Sequence, residues 1–495
     1  MLLNLLSVVK VGLVVQEKLR NLRENNMSIE MMTYTVPAQL PLAIFRAYDI
    51  RGEVGENSLN EDVAYAVGLA IGTEALRSDQ PEIIVACDMR LTGESLKKAL
   101  ITGIIETGCH VVDIGLGPTP MMYFATNYLS SRTGVMVTAS HNPSHHNGFK
   151  IVLNGKTLTE KGIQELVQRI SRRDFLSGEG VVRKQNIIPD YIDAICAQLT
   201  IKKPMKVVID AGNGAASEIA PIVFRRLGCE VIELFCEYDG RFPNHHPDPT
   251  VPENLKDIIA LVEKENADIG LAFDGDADRL GIITNKGEVI WPDRQMILFA
   301  KDVLEKNPGE KIIFDVKCSR VLPDMIKKMG GQPIMWQTGH SILKAKMVEE
   351  QAPLAGEMSG HIFFKDGWYG FDDGIYVGAR LLSILSREEK TVSDVFHALP
   401  QTVNTPELKL PMAEEKKTDF MERLKCEGEF PGAEIITLDG LRIEYDFGWG
   451  LIRRSNTSPY LILRFEADTE NNLEKVQGIF REQLLKIDGE LKLPF

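Results

Sequence analysis

The sequence predicts an α/β fold, with three similar mixed-sheet α/β domains and a smaller C-terminal α+β domain around a central cleft. Three observations carry that prediction. A β-branched apolar run ending in aspartate occurs three times, as "IIVACDMRLTG" (83–93), "KVVIDAGNGAAS" (206–217) and "KIIFDVKCSR" (311–320). A helical stretch, a glycine and a second apolar run follow each copy. From about residue 404 this pattern gives way to shorter, alternating strands.

Each copy reads as a buried parallel strand feeding a helix. In the first, Leu96, Leu100 and Ile104 recur at i, i+4 spacing, which makes one helix face apolar, and Gly108 stops the helix before "CHVVDIG". The second gives "PIVFRRLGCEVIELF" and the third "VLPDMIKKMGGQPIMWQTG". Strand, helix, glycine and strand form a βαβ unit in triplicate.

Polar residues gather after the third apolar run of each copy. "GVMVTASHNP" ends in Ser140 and His141, "DIGLAFDGDADR" in three aspartates, and "PLAGEMSGH" in Glu357, Ser359 and His361. Ligands of open parallel sheets bind beyond the carboxyl ends of the strands. Three such domains facing one cleft would bring three loops to one substrate. In the last domain, "EIITLDGLRIEY" predicts a hairpin with a type I′ turn at Asp439-Gly440. "YLILRFEAD" is a further strand, and Leu473, Val476, Phe480 and Leu484 define the apolar face of a final helix. The expected divisions are residues 1–38, an N-terminal extension outside the chemistry, then domains at 39–188, 189–291, 292–403 and 404–495.

With 495 residues, 44% hydrophobic and 25% charged, the chain is globular and long enough for several cores. Its net charge of −14 argues against a nucleic-acid or anionic-membrane surface, which needs clustered Lys and Arg. Seven scattered cysteines without a C-x-x-C spacing suit reduced thiols in a cytoplasm and offer no zinc motif. The apolar start "MLLNLLSVVKVGLVV" contains Lys10 and falls short of the about 20 apolar residues that span a membrane.

In "DGDADR", Asp274, Asp276 and Asp278 concentrate hard oxygen ligands that suit Mg2+. An EF-hand would need Gly and Glu where Arg279 and Asn285 stand. The other reading is a solvated acidic turn, which the preceding strand "IGLAF" disfavours. Ser140 is either a capping serine or, beside a divalent cation, a carrier of a phosphoryl group. His145, His146, His245 and His246 lack a third ligand at zinc spacing and read as loop structure. "RRSNTSP" (453–459) sets arginine beside hydroxyl and amide donors, either a phosphate cradle or a plain turn. No G-x-x-x-x-G-K-[ST] occurs, so ATP as phosphoryl donor has no support.

In order along residues 40–495, "FRAYDIRG", "TASHNP", "NGFK", "DGDADR", "DVKCSR", "TGHS", "GEMSGH" and "RRSNTSP" resemble the motifs of the α-D-phosphohexomutases, in their bacterial phosphomannomutase/phosphoglucomutase form. The resemblance implies that Ser140 is a phosphoserine and that Ser140, Asp274, Asp276 and Asp278 hold Mg2+. It sets Arg51 and Lys150 near the transferred group, with Lys150 and His340 as general acid/base candidates. Lys317 orients substrate, Arg279 contacts sugar, Glu357 and Ser359 read its hydroxyls, and Arg453, Ser455, Asn456 and Thr457 clamp the other phosphate. Tyr48 and His361 lie in matching motifs.

The activity implied is reversible 1-/6-phosphoryl transfer on mannose and glucose phosphates, with a hexose 1,6-bisphosphate as activator and intermediate. A phosphoglucosamine mutase is the alternative. A metal-dependent sugar phosphatase is a further one, as is a non-catalytic sugar-phosphate binding protein, against which Ser140 and the aspartates count. The expected partners are hexose phosphates, with no nucleic acid and no membrane, and the expected state is a cytoplasmic monomer.

Overall fold

The computed structural model describes residues 33–46, 48–455 and 459–495. Within them the three copies fold alike. In each, the aspartate-ending strand lies between, and parallel to, the next two repeat strands, and a fourth runs back antiparallel. In the first sheet Glu82–Cys87 lies between His110–Leu116 and Gly134–Val137, with His146–Leu153 antiparallel to the last. The second sheet repeats this with Lys206–Asp210 between Glu230–Leu234 and Ile269–Phe273, followed by Leu280–Thr284. The third has Lys311–Asp315 between Gln332–Trp336 and Leu354–Gly356, followed by Ile362–Phe364. The mixed sheets predicted from sequence are therefore present. The chain reversal from third to fourth strand is where each polar loop sits: residues 138–145, 274–279 and 357–361.

Local chemistry explains the repeat. Helices Gly93–Glu106, Ile219–Arg226 and Val321–Lys328 are followed by Gly108, Gly228 and Gly330 at φ 93°, 92° and 80°. Those left-handed values are free to glycine and costly to a residue with a Cβ, so each helix ends where the next strand must begin.

Side chains alternate across each strand. Ile83 and Val85 join Leu100 and Ile104 on one face of the first sheet. Ile84 and Ala86, with Phe124 of the first domain, face a larger core shared with Phe224, Phe273, Phe314 and Tyr376 from the other two sheets and their helices. Each large side chain so buried contributes about 1.5–3 kcal/mol. A common core fixes the three sheets against one another, and with them their loops.

The fourth sheet contains Glu434–Ile436, Leu441–Tyr445, Gly448–Arg454 and Tyr460–Ala467, covered by helix Glu470–Ile487 through Leu473, Val476, Phe480 and Leu484. It docks on the third domain through charged groups. Arg442 donates to the Cys318 carbonyl (2.8 Å), Arg464 to Asp293 (3.1 Å) and to the Lys317 carbonyl, and Ser319 to Glu466 (2.9 Å). Trp449 is buried against Arg442, whose guanidinium carbon lies 3.7 Å from a ring centroid. Since these bonds grip the main-chain carbonyls of Lys317 and Cys318 and the Ser319 hydroxyl, the fourth domain sets where Lys317 points.

Two expectations change. The hairpin does not close through a type I′ turn: Ile436 pairs with Arg442, and of Asp439 and Gly440 only the glycine has positive φ (86°). The loop is instead shaped by the third domain and by its own sheet, because the Asp439 carboxylate accepts from the Thr338 N–H (3.1 Å) of the former and from Arg453 Nε (3.0 Å) of the latter. His146 begins a strand rather than lying in a loop. Tyr34 and Val36, counted with the extension, pack on the first core, and Thr35 donates to Asp62 through its N–H (2.7 Å) and hydroxyl (3.0 Å). Residues 1–32 lie outside the described residues. Among the described residues, no helix is long and apolar enough to cross a membrane.

Candidate active site

The loop after Gly134–Val137 holds Ser140 buried and at φ 52°. A non-glycine residue in the left-handed region costs about 1–2 kcal/mol, so the surroundings must enforce it. Thr138 Oγ1 accepts from the Ser140 N–H (2.9 Å), and Arg90 donates to the Ser140 carbonyl (2.7 Å). The Ser140 hydroxyl donates to Asp274 (2.9 Å) and lies 3.1 Å from His141 Nδ1. Gly275 allows this approach, since a Cβ there would lie 2.3 Å from the Ser140 carbonyl oxygen. Arg51 lies alongside, bonded to Asn142 Oδ1 (3.1 Å) and paired with Asp49.

Asp274, Asp276 and Asp278 are all buried, with ligand oxygens within 4.8 Å of one another. Burial, then the charges of Asp278 and Asp276, push the Asp274 acid well above the usual carboxylate range. Lys150, on the neighbouring strand, lies 2.6 Å from Asp276 and 2.5 Å from Asp278. Burial opposes its charge, but the two carboxylates outweigh that and raise its pKa, which keeps the ammonium protonated. One oxygen each of Asp276 and Asp278 remains buried without a hydrogen-bond partner. Three hard carboxylates with two orphaned oxygens fit a divalent cation such as Mg2+.

The third loop meets the second at an isolated bridge between Arg279 and His361. Arg279 Nε donates to His361 Nε2 (3.0 Å), which sets the tautomer: His361 Nδ1 carries the proton and points to Asp372 at 3.0 Å. Arg279 also lies 3.7 Å from Asp274. Asp372 accepts from Lys344 (3.0 Å) and lies 3.9 Å from His340 Nδ1. Burial first, and Lys344 second, hold the His340 pKa well below its ordinary value, so the ring is neutral. Glu357 accepts from the Gly339 N–H (3.2 Å) through one oxygen and from the Ser359 hydroxyl (3.0 Å) through the other.

From the fourth domain comes Arg453, buried, bonded to Asp439, with Nη2 unpaired. Tyr48 bridges the rim, its hydroxyl 3.3 Å from the Thr338 carbonyl and its ring centroid 6.2 Å from His340. Burial pushes its phenol up to about 12. Lys317 is turned to Glu407 (2.7 Å). The Ser455 N–H donates to the Tyr460 carbonyl, while Asn456 and Thr457 lie outside the described residues. A chain of contacts thus runs from Arg453 through Asp439, Thr338, Tyr48, His340, His361 and Arg279 to Asp274 and Ser140.

The strand-end aspartates hold these loops rather than react. Asp88 accepts from the Thr138 hydroxyl (2.6 Å), and Asp315 from the Met358 N–H (3.1 Å) in the third polar loop. Asp210 bonds His245 Nε2 (2.9 Å), whose neighbour Pro247 backs Gly275. Burial opposes a charge on His245, but the bond to Asp210 outweighs it and raises the imidazole pKa above its ordinary value. Asp372, Lys344 and Arg90 escaped sequence reasoning. The only signal for Arg90 was its place two residues after a strand-ending aspartate.

Family models described as phosphoglucomutase/phosphomannomutase alpha/beta/alpha domains I, II and III match residues 42–177, 189–287 and 291–403. The corresponding C-terminal domain matches 407–483. Phosphomannomutase/phosphoglucomutase of Pseudomonas aeruginosa is 53% identical over 465 residues, 94% of this chain and 100% of that protein. Phosphoglucomutase of Neisseria meningitidis serogroup A is 48% identical, covering 90% of this chain and 97% of that one. A crystal structure of a phosphoglucomutase/phosphomannomutase family protein from Burkholderia thailandensis, 47% identical, superposes with a TM-score of 0.89 over 92% of this chain and 100% of its own.

Proposed function

Because the chain belongs to the phosphoglucomutase/phosphomannomutase family, as its four matched domains and full-length relatives establish, we propose that it transfers a phosphoryl group reversibly between the 1- and 6-hydroxyls of mannose and glucose phosphates. The observation that carries the reading is Ser140: a buried hydroxyl 2.9 Å from Asp274, beside carboxylates with orphaned oxygens.

In this reading Ser140 carries the phosphoryl group. Its P–Oγ bond breaks as a P–O bond forms to the free sugar hydroxyl, giving a hexose 1,6-bisphosphate. Neutral His340 is in the state to accept the hydroxyl proton, and protonated Lys150 in the state to donate one to the Ser140 oxygen. The bisphosphate turns over in the cleft, and the reverse transfer to Ser140 releases the isomer. Asp274, Asp276, Asp278 and a phosphoserine oxygen would hold Mg2+, which supplies neutralisation of the phosphoryl charge. The unpaired Arg453 Nη2, with Ser455, Asn456 and Thr457, holds the phosphate that is not reacting; Lys317 leaves Glu407 for substrate. Arg51 steadies the transferring group. Glu357, Ser359, Arg279, His361 and Tyr48 grip the sugar in both orientations.

One chain brings all these loops together, so a monomer suffices. The seven unpaired cysteines suit the cytoplasm. The same reading takes residues 39–188, 189–291, 292–403 and 404–495 as the four domains and leaves 1–38 outside the chemistry.

The test follows glucose 1-phosphate by ³¹P NMR with Mg2+ and catalytic glucose 1,6-bisphosphate. A 6-phosphate signal from the native protein that nearly vanishes in Ser140→Ala is expected; mannose and glucosamine phosphates then rank the sugar. Release of inorganic phosphate instead would make it a phosphatase.

A further inference from the structure

The native serine loop has a buried guanidinium at its centre that the reaction just described does not use. Arg90 is 3% exposed. Its Nη1 donates to the carbonyls of Pro143 (2.6 Å) and His146 (3.0 Å), its Nη2 to those of Ser140 (2.7 Å) and Asn142 (2.6 Å). One side chain therefore ties down four main-chain oxygens across the whole loop. Asp88 fixes the arginine in turn, accepting from its N–H (3.0 Å) and lying 3.3 Å from Nε. The same carboxylate accepts from Thr138, whose hydroxyl holds the Ser140 N–H. Phe242, from the second domain, covers the guanidinium at 5.1 Å, and Gly240 lets that segment close on it, since a Cβ there would lie 2.7 Å from the Arg90 Cα.

We propose that Arg90 is the positioning residue for the nucleophile. It holds Ser140 in its left-handed conformation and so aims Oγ at the aspartate loop, with Asp88 as its anchor. Five donors in a rigid fork suit this task, and no other side chain offers them. The usual use of such a fork is to bind phosphate; here its two amino groups are spent on carbonyls, so it acts through the serine and touches no substrate. This inference rests on the phosphoserine reading for its kinetic consequence and on geometry alone for its effect on the loop.

Two variants test it, Arg90→Lys and Asp88→Asn. A lysine ammonium has three donors and no plane, so it cannot hold all four carbonyls at once. For Arg90→Lys, kcat for glucose 1-phosphate is expected to fall at least about thirtyfold while KM stays within about threefold, because Oγ is misaimed while the sugar and phosphate clamps are untouched. Asp88→Asn should show the same split at smaller amplitude. Hydrogen exchange should speed up at residues 140–146 and stay native elsewhere. A kcat within threefold of native in both variants, or exchange spread over the whole first domain, overturns the proposal. If Arg90→Lys does not fold, Asp88→Asn carries the same test. The exchange readout needs no turnover. A native protein that isomerises no sugar phosphate would refute the proposed activity, while loop exchange would still decide the role of Arg90.

Discussion

The ammonium of Lys150 lies 2.6 Å from Asp276 and 2.5 Å from Asp278, within the cluster of carboxylates that would hold a metal. Two like unit charges about 4 Å apart repel by about 4 kcal/mol at an effective dielectric of about 20, so the lysine opposes any cation that enters. Lys150→Met should therefore bind Mg2+ at least tenfold tighter, read by calorimetric titration, while turnover falls. Unchanged or weaker Mg2+ binding would show that the ammonium moves away before the cation arrives. In the native enzyme, chelation should abolish turnover and added Mg2+ restore it.

Ser140 is held at φ 52°. Ser140→Gly and Ser140→Ala both lack the hydroxyl and should both be inactive, but glycine accepts this backbone freely and alanine does not. The glycine variant should be about 1 kcal/mol more stable, seen as a higher midpoint in urea. Equal midpoints would mean that the loop relaxes when the hydroxyl is lost.

Gly275 lies against the Ser140 carbonyl, with space for no side chain: an added Cβ would lie 2.3 Å from that oxygen, and the obstacle is backbone. Gly275→Ala should push the serine and aspartate loops apart. A shift of about 1 Å can cost roughly a hundredfold in rate, so kcat should fall by one to two orders of magnitude. A rate within twofold of native would place the reacting serine elsewhere.

His245 gives a pH signature. Burial alone would lower its pKa, but the bond to Asp210 and that carboxylate's charge outweigh it, so the folded value lies above the ordinary 6.5. A raised histidine pKa stabilises the fold fully below the unfolded pKa and loses that contribution as pH rises through the folded one. The stability advantage of the native protein over His245→Gln should thus be largest near pH 6 and shrink by pH 8. An advantage that grows with pH would reverse the sign and remove the ion pair.

Much of the architecture was legible because it is written in local periodicity. The triplicate strand, helix and glycine were visible as apolar runs and stops, and Gly108, Gly228 and Gly330 adopt the left-handed values that their positions demanded. The polar loops were visible as short strings. The type I′ turn was misjudged because Asp439 answers to Thr338 and Arg453, residues that are distant or carry no turn signal of their own.

The sequence by itself determined the repeated α/β plan, the family resemblance and which loops carry Ser140, the three aspartates, Glu357 with Ser359, and Arg453. Only the tertiary structure decided how those groups are held: Arg90 on four carbonyls, Asp372 between Lys344 and His361, Lys150 among the aspartates. Main-chain carbonyls are the same at every residue, and a buried ion pair joins positions far apart in the chain. Neither leaves a pattern in a string of side chains until the fold brings them together.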